Sequence, residues 1–132
     1  MADSAPIRIA IVEDEAAIYA ERLMAAIPGI SVHGGRTEAE ILPHCPGATV
    51  LMGLAQCITP AMVTAARDLR WVQALTTGVD PLMAMACLDA RIPITSGRGI
   101  HGPQMSELAF LYMLNFARDI RAVLCDQRNK VW

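Results

Sequence analysis

The chain has 132 residues, 54% of them hydrophobic, and a formal net charge of −2. That is the length of one domain, with enough apolar content to bury a proper core. The charge balance leaves no basic footprint for nucleic acid and no polybasic patch for a membrane surface. No apolar run approaches the ~20 residues of a membrane span.

The opening residues, Met1 to Pro6, carry an early acid and no apolar stretch, so they do not read as a signal peptide. Cys45, Cys57, Cys87 and Cys125 are irregularly spaced without a CxxC, and His33, His44 and His101 form no ligand spacing with them. The expectation is a cytoplasmic chain with reduced, mostly buried thiols and no metal.

In chain order, Ile7 to Val12 is a short apolar run after Pro6, the pattern of a buried parallel strand. Glu13-Asp14-Glu15 places acids at a helix start. Ile18, Leu23, Ala26 and Ile27 follow near helical spacing, and Pro28-Gly29 stops the helix. Ile30 to His33 reads as a second strand closed by Gly34-Gly35, and Thr37 with Glu40 as a capping box. Ala48 to Met52 is the third strand, followed by Thr59-Pro60 as cap and first residue of a helix to about Leu69. Trp71 to Leu75 is the fourth strand, and Asp80-Pro81 starts a helix to about Leu88. Ile92 to Thr95 is the fifth strand, and Pro103 opens the longest helix, to roughly Asp126.

Strict alternation of strand and helix predicts an α/β fold: three layers, a parallel five-stranded sheet with helices on both faces, plus a long C-terminal helix. Ligands of such sheets bind at the carboxyl ends of the strands. The loops of interest are therefore Glu13–Glu15, Gly53–Ile58, Thr76–Asp80 and Ser96–Gly102.

Two local patterns point elsewhere and fail on their chemistry. A strand ending in Glu13-Asp14-Glu15 resembles the metal corner of a response-regulator receiver. A receiver also needs an aspartate after strand three, where this chain has Met52-Gly53-Leu54-Ala55, and a lysine after strand five. The only lysine is Lys130. Gly97 to Gly102 (GRGIHG) is a literal GxGxxG, but a dinucleotide fingerprint needs a complete βαβ unit with an acid closing the second strand. No second strand follows, so the glycines read as a flexible crossing.

Three stretches carry a resemblance: Leu69 to Asp80 (LRWVQALTTGVD), Ile94 to Leu108 (ITSGRGIHGPQMSEL) and Ala109 to Arg121 (AFLYMLNFARDIR). Together they resemble the D-isomer-specific 2-hydroxyacid dehydrogenases, particularly the glyoxylate/hydroxypyruvate reductase type. The likeness is strong from Leu69 onward and one of layout before it. It implies a flavodoxin-like substrate domain over residues 1–102. Residues 103–132 would be a linker helix and arm leading into an NAD(P)-binding Rossmann domain. It also implies reduction of 2-keto acids, or oxidation of D-2-hydroxy acids, with NAD or NADP.

The resemblance assigns roles by position. Thr77 and Gly78 match the turn whose amides hold the substrate carboxylate, and Val79 supports that turn. Glycine permits close backbone approach, and successive amides in a turn can be aimed at an anion. Gly53 and Leu54 match the loop covering the substrate's apolar side, and Met105 a helix-start position facing the nicotinamide. Glu107 reads as a first-turn acid, Arg98 as a solvated loop residue, and His101 is not the family's catalytic histidine. No catalytic residue falls within these residues, because the family's arginine, glutamate and histidine lie in the cofactor domain.

Two expectations follow. The chain halts about where that domain's first strand begins, so by itself it binds no cofactor and turns over nothing. The helix from Pro103 is apolar on all sides (Leu108 to Leu114, then Phe116, Ala117, Ile120, Val123 and Leu124), which predicts burial on all sides and a homodimer through residues 103–127. The competing reading is a stand-alone flavodoxin-like module that binds a small carboxylate or a protein without catalysis.

Overall fold

The computed structural model describes residues 6–131. The readings of residues 1–5 and of Trp132 lie outside the described residues. Five strands appear: β1 (Arg8–Val12), β2 (Ser31–Gly35), β3 (Val50–Gly53), β4 (Trp71–Ala74) and β5 (Ile94–Ser96). They form a single sheet in the order β2-β1-β3-β4-β5, every pair parallel. The helices between them are α1 (Ala16–Ala26), α2 (Glu38–Ile41, running into a 3-10 turn at Leu42–His44), α3 (Pro60–Ala65) and α4 (Asp80–Met83). After β5 come α5 (Gly102–Arg118) and α6 (Ile120–Asn129). This is the expected α/β fold.

Period-two alternation divides the core between the two faces of the sheet. Ile9, Ile11 and Val50 pack with Ala16, Tyr19 and Leu23 of α1. Ala10, Val12, Leu51, Val72 and Ala74 pack on the other face with Ile41, Met62, Val63 and Leu82. Burying each large side chain of this set stabilises the fold by about 1.5–3 kcal/mol. The caps read from the sequence form: Thr37 Oγ1 accepts from the Glu40 N–H, and Thr59 Oγ1 from the Met62 N–H. Among the described residues no helix is long and apolar enough to cross a membrane.

Several boundaries differ, each for a local reason. The buried side of α1 is Ala16 and Ala20, with Ile18 and Ile27 left 47% and 45% exposed. Small residues face the sheet because the helix runs close to it. Gly34 and Gly35 do not close β2 but belong to it. A Cβ on Gly34 would stand 2.9 Å from the Ala16 Cβ, and one on Gly35 2.9 Å from the Glu40 Cβ, so both glycines admit helices against the strand. Helices α3 and α4 end earlier than their apolar patterns, and irregular turns complete those crossings.

Cys45 is buried, and its thiol contacts the Ile41 carbonyl oxygen at 3.5 Å. Burial, then the Glu38 charge, pushes that thiol up from its ordinary value. Alkylation near neutral pH should therefore label the exposed Cys87 and spare Cys45 until denaturant is added, as read by peptide mass.

The chain divides into two units, one ending at Gly97 and one beginning at Arg98. The second contains α5 and α6. The sequence pattern suggests one helix to Asp126, but Asp119 interrupts it with a left-handed backbone (φ 45°). Its carboxylate accepts the Ala122 N–H at 3.3 Å, so the residue that ends α5 also caps α6.

Candidate functional site

The strand order reverses between β1 and β3, and ligand crevices in such sheets open at the carboxyl ends beside that point. One strand along from that point, β3 and β4 finish side by side, with Gly53 paired to Ala74. The Leu75 N–H donates to the Gly53 carbonyl at 2.8 Å, and the Gly97 N–H donates to the Thr76 carbonyl at 3.0 Å. The turn after β4 is thus fastened to both neighbouring strand ends.

Both threonines of that turn add side-chain bonds. The Thr77 hydroxyl donates to the Gly97 carbonyl at 3.3 Å. The Thr76 hydroxyl donates to the Gly78 carbonyl at 2.7 Å and accepts from the Ala55 N–H at 3.4 Å. These bonds orient the peptide planes. A trans peptide points its C=O and the next N–H in opposite directions. With the Thr76 carbonyl aimed at β5, the Thr77 N–H faces the β3 side. With the Gly78 carbonyl drawn to Thr76, the Val79 N–H points away from it. Among the described residues, the N–H groups of Thr77, Gly78 and Val79 have no partner within the protein. Successive unsatisfied amides in a turn are donors that an anion can satisfy.

The other positions read from the sequence fall around this turn or apart from it. Gly53 is buried at the end of β3, where an added Cβ would lie 2.5 Å from the Val12 carbonyl oxygen. Close approach of β1 therefore demands glycine there. Leu54 opens a tight turn, its carbonyl accepting from the Cys57 N–H at 2.8 Å and the Ile58 N–H at 3.3 Å. It is half-buried and belongs to neither core cluster. Val79 packs on the core and receives the N–H groups of Leu82 and Met83. Gly78 is open: a Cβ would meet only the Asp80 Oδ2, at 3.4 Å. Met105 stands exposed in the first turn of α5, in the other unit. The sequence singles out Thr77 and Gly78 but passes over Thr76, whose partners become visible only in the fold.

No family model and no curated protein matches this sequence. Solved structures do. A D-isomer-specific 2-hydroxyacid dehydrogenase family protein from Aeromonas salmonicida superimposes with a TM-score of 0.82 and 26% identity, over 97% of this chain and 41% of that one. The fold is that of the D-isomer-specific 2-hydroxyacid dehydrogenases. A second family protein, from Klebsiella pneumoniae, matches with a TM-score of 0.63 and 20% identity, over 98% of this chain and 39% of that one. The NAD+-bound 3-phosphoglycerate dehydrogenase of Entamoeba histolytica matches at 0.59 and 13%, over 84% and 39%. This chain thus spans about two fifths of the length of these dehydrogenases.

The described residues do not fit the dinucleotide that the dehydrogenase fold implies. The glycines at 97, 99 and 102 lead from β5 into α5, but α6 follows α5 where a βαβ unit would place a strand closed by an acid.

Proposed function

We propose that this chain is the substrate-binding part of an NAD(P)-dependent oxidoreductase acting on D-2-hydroxy acids and 2-keto acids. The observation that carries the reading is the run of unpartnered amides at Thr77, Gly78 and Val79, at the carboxyl end of β4. Those amides would hold the substrate carboxylate, with Gly53 and Leu54 bordering its apolar side. Binding by main chain alone is weak, and the Asp80 carboxylate beside Gly78 opposes an incoming anion.

In this reading residues 1–102 are the substrate domain. Residues 103–132 are the linker helix and arm toward a cofactor domain, and Met105 lies on the nicotinamide side. The arginine, glutamate and histidine of the chemistry belong to that other domain, so the 132 residues alone should not oxidise NAD(P)H with glyoxylate or hydroxypyruvate. Four free cysteines accord with a cytoplasmic location.

The test is a titration of the ¹⁵N-labelled chain with glyoxylate. Shifts should saturate at millimolar ligand and concentrate on the amides of 77–79. Gly78→Val should weaken binding by about tenfold or more, because bulk over the amides keeps the carboxylate from them, while stability changes by less than about 1 kcal/mol. Shifts spread evenly over the surface, or none, would overturn the reading.

A further inference from the structure

The sequence pattern credits the turn's function to Thr77 and Gly78, yet Gly78 has no side chain and the Thr77 hydroxyl bonds Gly97, outside the Gly78–Val79 peptide. We infer that Thr76 is the positioning residue of the turn, its hydroxyl locking the amide run to the loop after β3. This rests on the carboxylate reading above.

A hydroxyl offers one donor and two acceptor sites. The Thr76 donor is spent on the Gly78 carbonyl at 2.7 Å, a short bond that holds that oxygen inward. Planarity of the peptide then sends the Val79 N–H outward. Freed of the hydroxyl, the same peptide can flip and present a carbonyl oxygen to the anion in place of an N–H. The acceptor side of Thr76 receives the Ala55 N–H, and Ala55 is 1% exposed. That amide has no water to fall back on, so the bond is expensive to leave unmade.

The result is one side chain bridging two loops that are 21 residues apart in sequence. Leu54, directly before Ala55, is carried with it. Any apolar cover that Leu54 provides is therefore set in register with the amides by Thr76. Thr77 donates its hydroxyl from an exposed position to the strand end on the other side, at 3.3 Å from the Gly97 carbonyl. It steadies the turn without orienting the Gly78–Val79 peptide.

The experiment compares Thr76→Val with Thr76→Ser in the ¹⁵N-labelled chain, titrated with glyoxylate. Thr76→Val should bind about tenfold more weakly, with the free-state Val79 amide shifted and Ala55 exchanging faster with solvent. Thr76→Ser should restore all three readings. If Thr76→Val does not fold, Thr76→Ala, which adds no bulk, carries the same comparison. Wild-type affinity in a folded variant lacking the hydroxyl, or failure of serine to rescue, would overturn the inference and leave the carboxylate reading standing. An unmodified chain that shows no saturable binding would overturn both.

Discussion

Gly53→Ala should lower the stability of the fold by about 3 kcal/mol, read as a drop in the urea midpoint at constant m-value. The added Cβ would sit 2.5 Å from the Val12 carbonyl oxygen and 2.7 Å from the Val12 Cγ1. Val12 is the register partner of Gly53, so the clash falls inside the β1–β3 ladder. A flexible side chain could swing aside, but a strand carbonyl cannot move without breaking its neighbours' bonds. Gly78→Ala is the matching control. Its Cβ meets a single carboxylate oxygen at 3.4 Å, an ordinary contact at an exposed turn, and should change stability by less than about 0.5 kcal/mol. Equal midpoints for the two variants would mean that β1 and β3 are not packed as described. The contrast also separates two kinds of site glycine. One is required by the sheet whatever binds there, and the other leaves room that only a ligand would use.

What the sequence reveals here is what depends on near neighbours. Thr37 and Thr59 were legible as caps because each bonds an amide three residues away. The five strands were legible because short apolar runs between helix signals have few other uses in an α/β chain. On the inner face of α1 Leu23 was legible, but Ala16 and Ala20 were not, because they carry little hydrophobic signal beside Ile18 and Ile27, although alanine is what a close helix needs. The glycines of β2 read as a stop for the same reason: the helices they admit come from elsewhere in the chain. Asp119 looks like one more solvated charge on a helix until its backbone is seen to be left-handed. At the candidate site, the motif names Thr77 and Gly78 and does not name Thr76. The Thr76 bonds to Ala55 and to the Gly78 carbonyl are visible only in the fold.

The second unit leads to the other large expected effect. We propose that the 132-residue chain forms a homodimer through residues 103–127, and sedimentation should show it at micromolar concentration. Helix α5 leaves Phe110, Leu111, Met113 and Leu114 well exposed, and Phe116 81% exposed. Burying side chains of this size is worth about 1.5–3 kcal/mol each, so four or five together can offset the roughly 4–15 kcal/mol of freedom lost on association. Isolated apolar residues are unremarkable on a protein surface, but a contiguous patch of this kind is normally covered. Phe110 and Leu114 lie four residues apart and so share one stripe of the helix. Phe110→Asp with Leu114→Asp should weaken association by a factor of about 100 or more, since charges placed in a dry interface lose their water without gaining a partner. The helical signal should persist, because both positions are exposed in the single chain. In an intact two-domain dehydrogenase the same residues would be expected to meet the cofactor domain or its copy. An unsubstituted chain that stays monomeric at high concentration, with α5 fully helical, would rule out association as the way this surface is hidden.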